Sequence, residues 1–473
     1  MPFEPIRAHP ANPHIFEFRG KPTVLITSAE HYGAVVNLDF DYAAYLDVLA
    51  AYRLNYTRIY AGAYVEPEHY FIQENTLGLR IGRHCLPWAQ SKQPDYPLGG
   101  GLFDLERWNE AYFARLKDFV AAAGERGVVV EACCFNAMYP DTWEKMPLYH
   151  ANNLQGVSRG SARDFQTLKD EKLTAYQCAY VRKLTGELNP FDNVILEICD
   201  EPGIHGTQPE EYTPWLRRLA GEIAAAEAGL PHRHLVAQQI CGEIGGWGDV
   251  SGDAEITLLT GQYVGPTDGK QLGGMQLLDG LYEREKPIEL NETAYYPIWY
   301  KGDILGASRV EAWEFVLGGG GGFNQLNGLF STVNPSAAGT EIEALLRPLT
   351  HLVDFLSALD VTRLRRDPGL LAGAPAEGQV ARGMSDAGRQ YALYLHHSRN
   401  ENLLYIVEPG EYVERLDLNL AAGRYRAEWI DPASGRLVRA EEFAHAGGIQ
   451  TLETPLYSVD LALRIVSAGG AGG

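Results

Sequence analysis

The sequence lacks most of the features that would assign its class at a glance. Its six cysteines, Cys85, Cys133, Cys134, Cys178, Cys199 and Cys241, form no CxxC pair, and several lie inside apolar runs. That pattern argues against a disulfide framework and for buried thiols in a reducing, cytoplasmic setting. No apolar run reaches transmembrane length. The start, "MPFEPIRAHPANPH", has no charged segment followed by an apolar one, so no signal peptide is expected. Positive charge is scarce: 40 Lys and Arg face 61 Asp and Glu, for a formal net charge of −21. Nucleic acid and anionic membrane surfaces would repel such a chain, so neither is an expected partner. The glycine run Gly318–Gly322 lacks the Lys-Ser/Thr of a phosphate loop and stands after a helix, before a strand. It reads as a tight turn. No strand top carries an HxH pair. His232 and His234 sit at the start of a strand, and His396 and His397 lie far along the chain, so no metal or other cofactor is expected.

What is present is a long, ordinary globular composition: 473 residues, 45% hydrophobic and 21% charged. Strand-like and helix-like segments alternate over the first ~360 residues. "IFEFRGKPTVLITS" reads as a hairpin leading into a buried strand. "LNYTRIYAG", "VVVEACCF", "NVILEIC", "RHLVAQQI", "EITLLTG", "PIELNE" and "GGFNQLN" read as seven more strands. The helix between the second and third of these is expected to bury Trp108, Tyr112, Leu116 and Phe119 on one stripe. The last helix is expected to start at Thr340 with a capping box to Glu343. Continuous apolar strands imply a parallel sheet covered by helices. Eight βα units over this length suggest a (β/α)8 TIM barrel, residues 1–360; a doubly wound open sheet is the alternative, which the lack of a glycine-rich phosphate turn after the first strand counts against. Short strands with turn residues between them then imply an all-β sandwich over 361–467, with a flexible tail, 468–473.

In such a barrel, chemistry sits at the C-terminal ends of the strands. The ends read from this sequence are Glu30 and His31 (strand 1), Arg58 and Tyr60 (strand 2), and Asn136 (strand 3). Asp200 and Glu201 end strand 4, Gln262 and Tyr263 strand 6, and Asn291 and Glu292 strand 7. Asn324 lies on strand 8. Two carboxylates on facing walls suit cleavage of a glycosidic bond, one protonating the leaving oxygen and the other attacking the sugar. Glu201 and Glu292 stand in the right places. Each alone could equally be a cap or a salt-bridge partner. Aromatic residues that follow, Trp247, Tyr295, Tyr296 and Trp299, could stack on sugars or pack loops.

The segments "ICDEPG" and "PIELNETAYY" resemble the strand 4 and strand 7 signatures of glycoside hydrolase clan A, the retaining (β/α)8 enzymes that include family 5. The resemblance implies a retaining β-glycosidase acting on a carbohydrate, with Glu201 as acid/base and Glu292 as nucleophile. "NYTRIY" resembles the clan's strand 2 motif, whose arginine supports the nucleophile, so Arg58 is implied in that role. Tyr263 is similar to the strand 6 tyrosine that contacts it. By the same reading Glu30, His31, Asn136, Trp299, Asn324 and Asp200 are expected at the substrate. One position departs: the clan carries asparagine where this chain has Asp200, and in the clan that asparagine bonds the sugar 2-hydroxyl. An ionised aspartate can accept but not donate. The departure leaves open a non-catalytic carbohydrate-binding protein on the same barrel. The insertion over about 62–104, with Tyr64, His69, Tyr70, Trp88 and Tyr96, is expected to shape the mouth and favour short substrates or chain ends.

Overall fold

The computed structural model describes residues 4–468, apart from 69, 71, 73, 264–271, 296–301 and 402–403. Eight strands form one parallel sheet. They are β1 (Leu25–Ala29), β2 (Tyr56–Tyr60), β3 (Val129–Asn136), β4 (Val194–Asp200), β5 (Leu235–Gln239), β6 (Leu258–Gln262), β7 (Ile288–Tyr295) and β8 (Gly322–Asn327). Neighbours pair in the order β1-β8-β7-β6-β5-β4-β3-β2. The two ends meet where Tyr60 N donates to Tyr32 O at 2.9 Å and Ile26 N to the side chain of Asn55 at 2.9 Å. All eight strands are those expected from the apolar runs, and the sheet is the TIM barrel they implied.

Alternation along the strands decides what the barrel encloses. At the floor, the hairpin Asn12–Phe18 and Lys21–Thr23 lies beneath the sheet. Phe16 and Phe18 pack there with Leu25, Tyr56, Val129, Ile195 and Leu258. This apolar plug closes one end. Above it the inward positions become polar: Tyr56, Arg58 and Tyr60 on β2, Glu131 on β3, Glu197 on β4, and Glu289 and Asn291 on β7. The polar layers therefore rise from the floor towards the mouth.

The glycine run turns the chain into β8 as expected. Gly319 has φ +105°, and a side chain at Gly321 would collide with the carbonyl of His14 in the floor hairpin. Two helix expectations need correction. The second-to-third strand helix begins at Glu110, and Trp108 lies on a short strand, Phe103–Trp108, paired with Trp88–Gln90. The final helix begins at Ile342, so no capping box joins Thr340 to Glu343. Thr340 instead donates to Ala337 O and accepts from Ile342 N. Among the described residues no helix is long and apolar enough to cross a membrane. All six cysteines are free and buried.

That final helix ends at Ser357, and the β-domain begins with Arg365–Arg366. Its larger sheet contains the strands 379–386, 390–401, 460–467, 423–430 and 437–445. A two-stranded sheet, Arg415–Leu420 with Gly448–Glu453, packs against it over Leu393, Leu418, Trp429 and Leu463. The strand 448–453 has no counterpart in the sequence reading. The domain grips the barrel through the helix Ile304–Leu317. Glu314 on that helix meets Arg382 Nε at 2.8 Å, His396 Nε2 at 3.3 Å and the hydroxyl of Tyr405, while Arg309 pairs with Asp460 at 2.9 Å.

Candidate active site

Arg58 is the one fully buried arginine or lysine among the described residues. Its guanidinium lies beside the rings of Tyr32 and Tyr60, at 5.0 and 5.4 Å. Nε and Nη2 grip both oxygens of Glu197 at 2.7 Å. Nη2 also reaches Asp200 Oδ1 at 2.8 Å, and Nη1 reaches Glu292 Oε2 at 3.0 Å. One cation thus serves three carboxylates. Below it, Asn291 Nδ2 donates to Glu131 and Glu197, each at 3.1 Å, and the Tyr56 hydroxyl bonds Glu131. Thr260 donates to Glu289 at 3.1 Å. Burial lifts Glu131 to about 8 and Glu289 to about 7, with Glu289 adding to the effect on Glu131.

Local backbone irregularity delivers the acids to the mouth. The β7 register slips between Leu290 and Thr293, an extra residue that lets both Asn291 and Glu292 serve the barrel interior. At the top of β4, Glu201 takes a left-handed backbone with φ +48°, and Tyr32 and Tyr263 do the same after β1 and β6. Left-handed non-glycine residues are uncommon and persist where the surroundings impose them. Here the Glu201 amide is held by Gln239 Oε1 at 2.8 Å.

Glu201 and Glu292 share the rim. They keep 5% and 7% exposure, against 1% for Asp200 and 0% for Glu131, Glu197 and Glu289. Tyr139 donates to Glu201 at 2.6 Å, and Tyr263 stands 3.5 Å from Glu292. Burial, then the charge of Asp200, raises Glu201 to about 8. The same two causes raise Glu292, with Arg58 opposing them and Glu201 adding to them, so the two carboxyls lie within electrostatic reach of each other. Arg58 touches Glu292 directly, whereas among the described residues Glu201 is bonded by the phenol of Tyr139.

The remaining expected residues divide. Asn136 stands beside Asp200 in the β3–β4 register, with its buried Oδ1 unpartnered. His31 bonds Glu66 through Nε2 at 3.1 Å, and its Nδ1 has no partner. Glu66 adds to the charge around Glu201, so the His31–Glu66 pair lies within electrostatic reach of it. Glu30 does not join them. It is fully buried, and its oxygens are taken by the amides of Gly33 and Ala34 and by the hydroxyl of Thr76. Asn324 is also internal, bonded to Ala29 N and Asn291 O. Asp200 spends both oxygens inward: Oδ1 on Arg58 and on Gln262 at 2.6 Å, Oδ2 on the hydroxyl of Tyr60. Trp299 and Tyr296 lie outside the described residues, as does His69. Trp247 is exposed. Trp88 packs on Trp108 and Tyr180, and Tyr96 bonds Lys145 O, so both hold the insertion together. Sequence reasoning passed over Tyr139, on the loop beyond β3, Gln239, the last residue of β5, and the interior acids Glu131, Glu197 and Glu289. No group of three or more His, Cys, Asp or Glu among the described residues is arranged to hold a metal.

No family model and no curated protein matches the sequence. Solved structures do match. A glycoside hydrolase family 5 structure from Bacteroides vulgatus ATCC 8482 aligns with a TM-score of 0.64 at 13% identity, over 99% of this chain and 94% of that one. The chain shares the fold of that structure. A second structure, described as a glycoside hydrolase, aligns with a TM-score of 0.63 at 13% identity, over 98% and 97% of the two chains. Both alignments run through the barrel and the appended β-domain, so the likeness of fold extends to the two-part architecture.

Proposed function

We propose that the protein is a retaining β-glycoside hydrolase. Glu292 attacks the anomeric carbon while Glu201 protonates the leaving oxygen. Glu201 then takes a proton from water, which attacks the glycosyl ester and frees Glu292. The observation that carries this reading is the unequal pairing of two rim carboxyls: Arg58 holds Glu292 at 3.0 Å, and Tyr139 holds Glu201 at 2.6 Å. A cation beside one favours the carboxylate a nucleophile needs. A buried phenol beside the other leaves the raised acid a proton donor needs. The names of the two similar structures agree with this chemistry.

For the substrate, the unpartnered Asn136 Oδ1, His31 Nδ1 and Gln239 Nε2 offer acceptors and a donor to sugar hydroxyls. Tyr70 of the insertion meets Tyr139 edge-on at 6.3 Å, so the insertion reaches the acid/base side of the mouth. That wall supports short glycosides or chain ends as substrates. The test is hydrolysis of a panel of aryl β-glycosides by the wild type, Glu292→Ala and Glu201→Ala. Hydrolysis by the wild type, its loss in Glu292→Ala and recovery of product as a glycosyl azide with added azide are expected. Sugar binding with no hydrolysis by any form would instead identify a carbohydrate-binding protein.

A further inference from the structure

We infer that Asp200 sets the working pH of the two rim glutamates rather than contacting substrate. The inference rests on the glycosidase reading for its kinetic consequence, but its basis is geometric. Asp200 lies one residue before Glu201 and shares Arg58 with Glu292. Its three donors, Arg58 Nη2, Gln262 Nε2 and the Tyr60 hydroxyl, suit a group whose oxygens only accept. An asparagine in the same place would still take Arg58 and Gln262 on its oxygen, but would turn an NH2 towards Tyr60 and carry no charge.

The charge has two effects of the same sign. It draws on the one guanidinium that Glu292 depends on, and it adds a negative neighbour to both rim carboxyls. Each holds their protons to higher pH. The other groups around the pair do not replace it. Arg58 and Tyr60 face it from β2, Glu197 from β4 and Tyr263 from β6. Tyr139 and Glu66 face Glu201 from the loops, and Glu131 lies below, 3.8 Å from Arg58. Among these only Arg58 is a cation; its Nε is committed to Glu197, and its Nη2 is shared between Glu197 and Asp200.

The experiment compares the wild type with Asp200→Asn in two readouts. The first is the pH profile of kcat/KM on the best aryl glycoside. Both limbs are expected to move to lower pH by about one to two units. The second needs no turnover: infrared titration of the C=O stretch of the buried protonated carboxyls, assigned by its loss in Glu201→Gln and Glu292→Gln. Its midpoint is expected to move the same way. Tyr60→Phe removes a donor but keeps the charge, and is expected to leave both limbs in place; it serves as the second variant should Asp200→Asn not fold, a shift of its limbs as large as that expected for Asp200→Asn then counting against the inference. Limbs and midpoints unmoved in Asp200→Asn, with KM raised instead, would overturn the inference and return Asp200 to the substrate. Absent hydrolysis with a shifted infrared midpoint would sink the glycosidase reading alone.

Discussion

Glu314 and Glu201 are both buried glutamates, and they titrate at opposite ends of the carboxylate range. Burial pushes each upward. At the domain interface His396, Arg382 and Tyr405 surround Glu314 and bring it down to about 2. At the barrel mouth Glu201 has a phenol and an acidic neighbour, and it rises to about 8. The difference lies in the company, not in the depth. One cluster balances its charge and fastens two domains. The other gathers Glu131, Glu197, Glu289, Asp200, Glu201 and Glu292 around a single arginine, an arrangement that stores protons at a cost in stability. Perturbed acids in a cleft mark function more often than architecture, and here each kind stands in one molecule.

The contrast can be broken by substitution. The largest effect belongs to the mouth: Glu292→Gln is expected to lower kcat roughly 10⁴-fold or more, with no loss of melting temperature because a like charge has been removed. Glu201→Gln comes next. It should cost about 10²–10⁴-fold and remove the alkaline limb of the pH profile, checked by initial rates across pH. At the interface the pattern inverts. Glu314→Gln takes the shared carboxylate from the buried His396 and Tyr405 and from the part-buried Arg382, which keeps Asp279 at 3.4 Å, and should cost about 1–3 kcal/mol in denaturant unfolding, with kcat/KM unchanged where the protein is folded.

A finer test uses pH. Glu314 titrates lower when folded, so its stabilisation is present above the unfolded value near 4.5 and is lost as pH falls towards 2. Glu201 and Glu131 titrate higher when folded, so their contribution is full below 4.5 and is lost as pH rises towards 8. Melting temperature should therefore fall between pH 5 and 8, and Glu131→Gln should flatten that slope. A wild-type melting temperature that rises over this interval would contradict the assignment.

The barrel was legible because eight apolar, β-branched runs can only be satisfied by a covered parallel sheet. Glu201 and Glu292 were singled out because they end those runs. The interior acids were missed although "VVVEACC", "VILEICD" and "PIELNE" each carry a glutamate in mid-strand. Attention to strand ends passed over them, and period-2 alternation from Val129 to Glu131 or from Ile195 to Glu197 would have pointed them inward. Glu30 failed for another reason. It ends a strand, but its partner Thr76 returns from 46 positions later, a contact no local pattern shows. Tyr139 was invisible in the same way, since a loop beyond β3 brings it to Glu201. The strand 448–453 is short and half exposed, and its alternation is too weak to stand out.

The central claim is that Glu292 and Glu201 work as a nucleophile and an acid/base. The measurement that tests it most directly is proton NMR of the first-formed sugar during hydrolysis of the best aryl β-glycoside. A β-anomer appearing first and then mutarotating is the predicted result. An α-anomer appearing first would mean that water, not Glu292, attacks the sugar, and would contradict the account.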